Sequence, residues 1–138
     1  SERADRWREW FDPVQKPVLI ACTESGDPAG FVNYGRLQTP PPGSSPIRPL
    51  YAGEIYALYI LPSYWRQGLG QRLMCESAKG LAAMRYKSLC LWVLEKNNRA
   101  VSFYKKCGGE RCGKKDIEIG PSTAREICFG WRDTAILF

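Results

Sequence analysis

Two short apolar runs with an amphipathic stretch between them constrain this chain more than any other feature. Glu54 to Leu61 (EIYALYIL) is rich in β-branched and aromatic residues and stops at Pro62. Ser88 to Leu94 (SLCLWVL) is a second such run. Between them Leu69, Leu73, Ser77, Leu81 and Met84 recur at helical spacing, and Met74, Ala78 and Ala82 widen the stripe. Strand, helix and strand in that order make a βαβ unit, whose strands run parallel with a right-handed crossover. Gly80 inside the helix costs about 1 kcal/mol against alanine.

Shorter elements surround this unit. Pro17 to Cys22 (PVLIAC) and Gly30 to Tyr34 flank Ser25-Gly26-Asp27-Pro28 and read as an antiparallel hairpin. Asn98 to Cys107 predicts a short helix ended by Gly108-Gly109. Strands are expected near Glu110 to Ile119 and Ala124 to Trp131, about Gly120-Pro121-Ser122. At the start, Ala4, Trp7, Trp10 and Phe11 stand at helical spacing, which predicts an amphipathic helix over Arg3 to Phe11 ended by Asp12-Pro13. Thr39 to Pro49 carries five prolines with Gly43, Ser44 and Ser45, a loop too long for a simple connector and hence expected to be either mobile or functional.

Composition narrows the chemistry. A chain of 138 residues is one domain's worth, 1–138, and buries a real core without staples. It contains no histidine, which removes Ser-His and Cys-His nucleophile pairs, a histidine base and imidazole metal sites. Carboxylate, tyrosine, lysine and cysteine remain for proton transfer. Six cysteines form no C-x-x-C pair, so no zinc site is expected. Cys22, Cys90 and Cys128 lie in apolar segments as buried thiols, and a reduced, cytoplasmic protein is expected. No apolar run approaches the ~20 residues of a membrane span. The net charge of +6 suits an anionic partner, but the basic residues are scattered, which favours local phosphate binding over nucleic acid.

Two motifs carry the chemistry. Tyr64-Trp65-Arg66-Gln67-Gly68-Leu69-Gly70-Gln71-Arg72 joins the first strand of the unit to its helix. Glycines there let backbone N–H groups turn toward a ligand at a helix start, an arrangement suited to pyrophosphate. A dinucleotide fingerprint is absent, since Leu73 occupies the third glycine's place, and so is a Walker lysine. The second motif is Asn97, Ala100, Phe103, Tyr104 and Gly108, with Asn97 and Tyr104 two helical turns apart and able to share a side. Its bland alternative is a helix cap at Asn97 or Asn98 and a core tyrosine.

Together, in this order and spacing, these motifs resemble the GNAT superfamily of acetyl-coenzyme A-dependent N-acetyltransferases from about Pro17 to Trp131. The resemblance implies an α/β fold: a mixed, mostly antiparallel sheet with a central splayed parallel pair and flanking helices. It implies acetyl-CoA as co-substrate, no metal, and a small-molecule or peptide amine as acceptor. Leu58, Tyr59 and Ile60 would bond the pantetheine arm through their backbone. Arg66, Gln67, Gly68, Leu69, Gly70 and Gln71 would hold the pyrophosphate, and Asn97 would bond the cofactor from the second helix. Tyr104 would stand beside the thioester sulfur as general acid, and a backbone N–H near Ile60 would receive the oxyanion. Glu54 matches a position where some members, histone acetyltransferases among them, carry a basic carboxylate. Strict alternation would put Glu54, Tyr56, Leu58 and Ile60 on one face. Tyr34, Tyr56 and Trp92 are the aromatic candidates for the acceptor pocket, the alternative being that all three are core.

The chain departs from the family in three places. Trp65 replaces the first glutamine or arginine of the turn, so it is expected to cover the cofactor by packing and leave phosphate to the backbone and Arg66. Gly109 stands where an aromatic often follows the glycine, which is expected to loosen the turn into the next strand. The family's usual first strand and helix have no counterpart ahead of Arg3 to Phe11, which suggests an N-terminally shortened domain. The exposed edge at Pro17 to Cys22 would then need cover from a loop or a second copy, a homodimer. Against the enzyme reading stands a non-catalytic acyl-CoA-binding or protein-interaction module of the same fold.

Overall fold

A computed structural model describes residues 4–11, 17–38 and 50–138, the first stretch through its backbone pairing alone. Seven strands form one sheet: β1 (Ala4–Phe11), β2 (Pro17–Thr23), β3 (Pro28–Arg36), β4 (Gly53–Ile60), β5 (Leu89–Leu94), β6 (Glu110–Ile119) and β7 (Ser122–Trp131). Helix α1 (Leu69–Ala83) joins β4 to β5, and α2 (Asn98–Lys106) joins β5 to β6. Spatial order is β1-β2-β3-β4-β5-β7-β6. Only β4 and β5 run parallel, as the βαβ unit requires, and every other neighbouring pair is antiparallel.

The opening segment corrects the expectation for Arg3 to Phe11: residues 4–11 form strand β1, not a helix. They pair with β2 from Phe11↔Pro17 to Ala4↔Thr23. Trp7, Trp10 and Phe11 fit a helical spacing, but aromatic residues favour strands, and an unpaired edge of β2 offers a full ladder of hydrogen bonds. Tertiary pairing overrides local spacing here. The edge for which cover by a loop or a second copy is expected is therefore occupied by the chain's own first strand. The loop Thr39 to Pro49 lies outside the described residues.

Both helices pack on one face of the sheet. There Leu73, Met74, Ala78, Leu81, Leu89, Phe129 and Trp131 form the main core, all essentially without solvent contact. Gly80 is explained by this packing: a Cβ on it would sit 2.1 Å from the Tyr34 hydroxyl oxygen, so the helix approaches β3 only because that position is bare. Gly109 is likewise packed and not loose. A Cβ there would meet the Trp131 ring at 2.7 Å, and the Trp131 indole N–H donates to the Cys107 carbonyl at 3.1 Å. On the other face a smaller cluster of Tyr51, Cys90 and Cys128 is flanked by Leu37, Trp92 and Cys112.

Candidate active site

Strands β4 and β5 stay in register over three positions only, Gly53↔Leu89, Glu54↔Cys90 and Ile55↔Leu91. Past Ile55, β4 pairs with β3 alone; past Leu91, β5 pairs with β7 alone. Where they part lies a cavity of about 610 Å³. Leu58, Tyr59 and Ile60 line it from β4, and Arg66, Gly68, Leu69, Gly70 and Gln71 from the turn and the start of α1. Asn97 and Tyr104 line it from α2. Gln67 sits half-buried in the same turn but outside the lining.

The turn has the character of an anion site. Arg66 (φ 65°) and Gly68 (φ 76°) are both left-handed. For arginine that conformation costs roughly 1 kcal/mol, and such turns gather backbone N–H groups into an anion-binding concavity. Helix α1 then begins with no side-chain cap and no acidic residue in its first turn. Its first N–H groups and its positive dipole end are left for a ligand. Arg66, Arg99 and Lys106 line the cavity, and among the described residues no carboxylate does. An apolar slot ending in a cationic turn fits a pantetheine arm ending in phosphates.

Tyr104 is buried at 8 % exposure, with Phe103, Phe129 and Trp131 rings 5.3, 6.1 and 6.3 Å away. Burial first, and the nearby Cys107 second, push its pKa up to about 12, so at neutral pH it is a phenol with a proton to offer. Asn97 combines both readings of its motif. Its Oδ1 accepts from the Ala100 N–H at 3.2 Å, capping α2, while the residue also lines the cavity. Its amide NH₂ is the group it can still present to a ligand.

The expectation that Glu54, Tyr56, Leu58 and Ile60 share a face is overturned by a bulge. The β3–β4 register slips between Asn33↔Ala57 and Tyr34↔Ile55, so Tyr56 is an extra residue and the alternation changes phase. Ile55, Leu58 and Ile60 therefore pack toward the helices. Glu54, level with Cys90 of the smaller cluster, points to the opposite face. It is 6 % exposed, and its Oε1 accepts from the Gln38 N–H at 2.8 Å. Tyr56 lies on that face too, its hydroxyl donating to the Arg36 carbonyl. Burial, then the Glu54 charge, raise its pKa to about 12.

Of the three aromatics expected at an acceptor pocket, Trp92 and Tyr56 lie on the Glu54 side, with the Lys115 ammonium 4.4 Å above the Trp92 ring. Tyr34 does not. It is core, wedged under Gly80 of α1. Sequence reasoning missed Arg99 and Lys106, two cavity residues on α2. Their spacing of seven residues, with Phe103 of the motif between them, was the available signal, one helical stripe. Among the described residues no group of three or more His, Cys, Asp or Glu side chains could hold a metal, and no helix is long and apolar enough to cross a membrane.

Comparison with known proteins agrees with this geometry. The family model described as the acetyltransferase (GNAT) family matches residues 1–109. An uncharacterized N-acetyltransferase, YuaI of Bacillus subtilis (strain 168), is 31% identical over 129 residues, covering 94% of this chain and 70% of that protein. A mycothiol acetyltransferase of Frankia alni is 34% identical over 134 residues, but the chain spans only 35% of its length. Among solved structures, a candidate streptothricin acetyltransferase of Bacillus anthracis strain Ames, in complex with acetyl coenzyme A, superposes with a TM-score of 0.67 at 19% identity. That match covers 83% of this chain and 61% of the other.

Proposed function

Because the chain belongs to the GNAT acetyltransferase family, we propose that residues 1–138 form one N-acetyltransferase domain acting on a primary amine in a ternary complex with acetyl-CoA. The observation that carries this reading is the parting of β4 and β5 after Ile55↔Leu91, with an anion-binding turn and Tyr104 on one face and Glu54 on the other. When bound, acetyl-CoA supplies an acetyl group activated as a thioester with a stable thiolate as leaving group. The chain's residues supply the rest.

An acceptor ammonium has a pKa near ~10.4 and must lose a proton before its nitrogen can attack. Glu54 is the carboxylate on the acceptor face, one residue before the last paired position, and it takes that proton directly or through water. The acceptor nitrogen forms the new C–N bond, and the C–S bond breaks. A backbone N–H of β4 past the bulge, near Ile60, donates to the oxygen that gains charge. The Tyr104 phenol donates to the departing sulfur. With a pKa of about 12 against roughly 8.5 for a thiol, it acts by sharing its proton, and the one released by the amine completes the balance. Tyr56 and Trp92 form the acceptor walls. All six cysteines are free thiols, four of them buried, which supports a reducing compartment such as the cytoplasm.

Thiol release from acetyl-CoA across a panel of small and peptidyl amines tests the proposal. The wild type is expected to turn over at least one amine, and Glu54→Gln to lower kcat/KM by roughly 100-fold or more at neutral pH. Tight CoA binding without turnover of any amine would replace the enzyme reading with that of an acyl-CoA-binding module. An undiminished alkaline rise of kcat/KM in Glu54→Gln would move the base elsewhere.

A further inference from the structure

Trp65 is where the chain leaves its family's turn pattern, and the structure shows what stands beside it. The Trp65 indole N–H donates to the Ile60 carbonyl at 2.9 Å, which pins the ring to the end of β4. Over that ring, 3.5 Å from its centroid, lies the guanidinium carbon of Arg99. Both residues line the cavity, one from the turn and one from the first turn of α2, so the stack joins its two walls.

Nothing local favours Arg99 in that place. A cation in a helix's first turn opposes the dipole, and none of the ion pairs among the described residues involves it. The stack on Trp65 compensates, and it does so in a particular way. A guanidinium stacks through its face, while its five N–H donors point outward in its plane. The edge is therefore left for paired bonds to an oxyanion.

We infer that Arg99, held in place by Trp65, binds a phosphate of the coenzyme and supplies from α2 the donor that the family carries at position 65. Arg99 is the binding residue; Trp65 is a positioning residue. The inference rests on the acetyl-CoA reading above and deepens it. Two phosphate groups share the required chemistry, the pyrophosphate and the ribose 3′-phosphate, and the ligands of the test separate them.

The test is titration calorimetry of CoA and dephospho-CoA, with ligand-observed NMR for phosphate-free pantetheine, on the wild type, Arg99→Ala, Trp65→Ala and the double variant. Arg99→Ala is expected to weaken CoA by roughly 10- to 100-fold, the range for charge-assisted bonds, and to leave pantetheine unchanged. Retention of that loss with dephospho-CoA assigns the pyrophosphate; its disappearance assigns the 3′-phosphate. Trp65→Ala is expected to weaken CoA in the wild type and to add little in the Arg99→Ala background. Unchanged CoA affinity in Arg99→Ala, or an equal loss with pantetheine, overturns the role of Arg99. Losses that multiply in the double variant overturn the role of Trp65. A wild type that binds no CoA sinks the acetyltransferase reading itself, whereas one that binds CoA with Arg99→Ala unchanged sinks this inference alone.

Discussion

The two strand pairs that meet β5 and β7 spend their backbones differently. The hairpin β6–β7 holds nine register pairs from Glu110↔Gly130 to Ile119↔Ser122, with one bulge at Cys112. The parallel pair β4–β5 holds three and then separates. In the hairpin the ladder consumes the backbone donors and acceptors, and β7 delivers Ile127, Phe129 and Trp131 to the core. In the splay, Leu58 and Ile60 stay half-buried, and past Ile55 the strand edge facing β5 has no ladder, only the Trp65 indole bond to the Ile60 carbonyl. Unpaired backbone in a half-buried place costs stability unless water or a ligand completes it. The hairpin holds the fold together, and the splay gives up pairing to make room for a ligand.

Truncation on each side breaks this contrast most directly. Phe129→Ala in β7 removes a ring with no solvent contact and is expected to cost about 3–5 kcal/mol, read as a lower urea midpoint. Leu58→Ala in the splay is expected to cost about 1 kcal/mol or less, because the side chain is only partly covered, while weakening CoA. Equal stability losses from the two would end the division of labour.

A second, smaller effect separates chemistry from packing. Tyr104→Phe is expected to lower kcat about 100-fold, the low end for a general acid, with the KM for acetyl-CoA little changed. Since its pKa is raised to about 12, wild-type kcat should show no falling limb from Tyr104 until pH nears that value. Stability behaves differently. An unfolded tyrosine ionises near 10 and the folded one near 12, so between those values the unfolded chain binds fewer protons and stability falls as pH rises. Tyr51, raised likewise to about 12 and packed against Gly130 of β7, shares that slope. Tyr51→Phe should thus flatten the alkaline loss of stability and leave kcat alone, whereas Tyr104→Phe should flatten that loss and also lower kcat. Loss of kcat in both variants would remove the distinction.

Much of this was legible in the residues because local signals agreed with one another. Pro62 ends β4, the Gly68–Gly70 turn starts α1, and Asn97 to Tyr104 repeats at helical spacing, so the βαβ unit and the turn followed from pattern, while the splay and its lining followed from the family resemblance that those motifs carry. What was illegible depended on contacts between distant segments. Trp7, Trp10 and Phe11 carry a helical spacing that the open edge of β2 overrides. The bulge at Tyr56 has no residue signature, and it sends Glu54 and Leu58 to opposite faces. Tyr34 looked like a pocket aromatic until Gly80 brought α1 down upon it. Trp65 was legible as a departure, but its partner Arg99 lies 34 positions away, on the far wall of the cavity.

Asn97 offers the finest division, because cap and ligand contact fall on different atoms of one amide. Its Oδ1 holds the Ala100 N–H, and its NH₂ is what a cofactor would meet. Asn97→Ala is expected to cost about 1 kcal/mol through the lost cap and to weaken CoA as well, which confounds the two. Asn97→Asp separates them. Aspartate caps as well as asparagine and suits the positive end of α2, so the melting temperature should stay at or above the wild-type value. The same change deletes the NH₂ donors and adds a negative charge to a cavity lined by Arg66, Arg99 and Lys106. CoA affinity should then fall roughly tenfold, the scale of one bond to a charged or polar ligand group. Wild-type affinity in Asn97→Asp would leave Asn97 a cap and nothing more, and the splay's ligand contacts would come from β4, the turn and Arg99 alone.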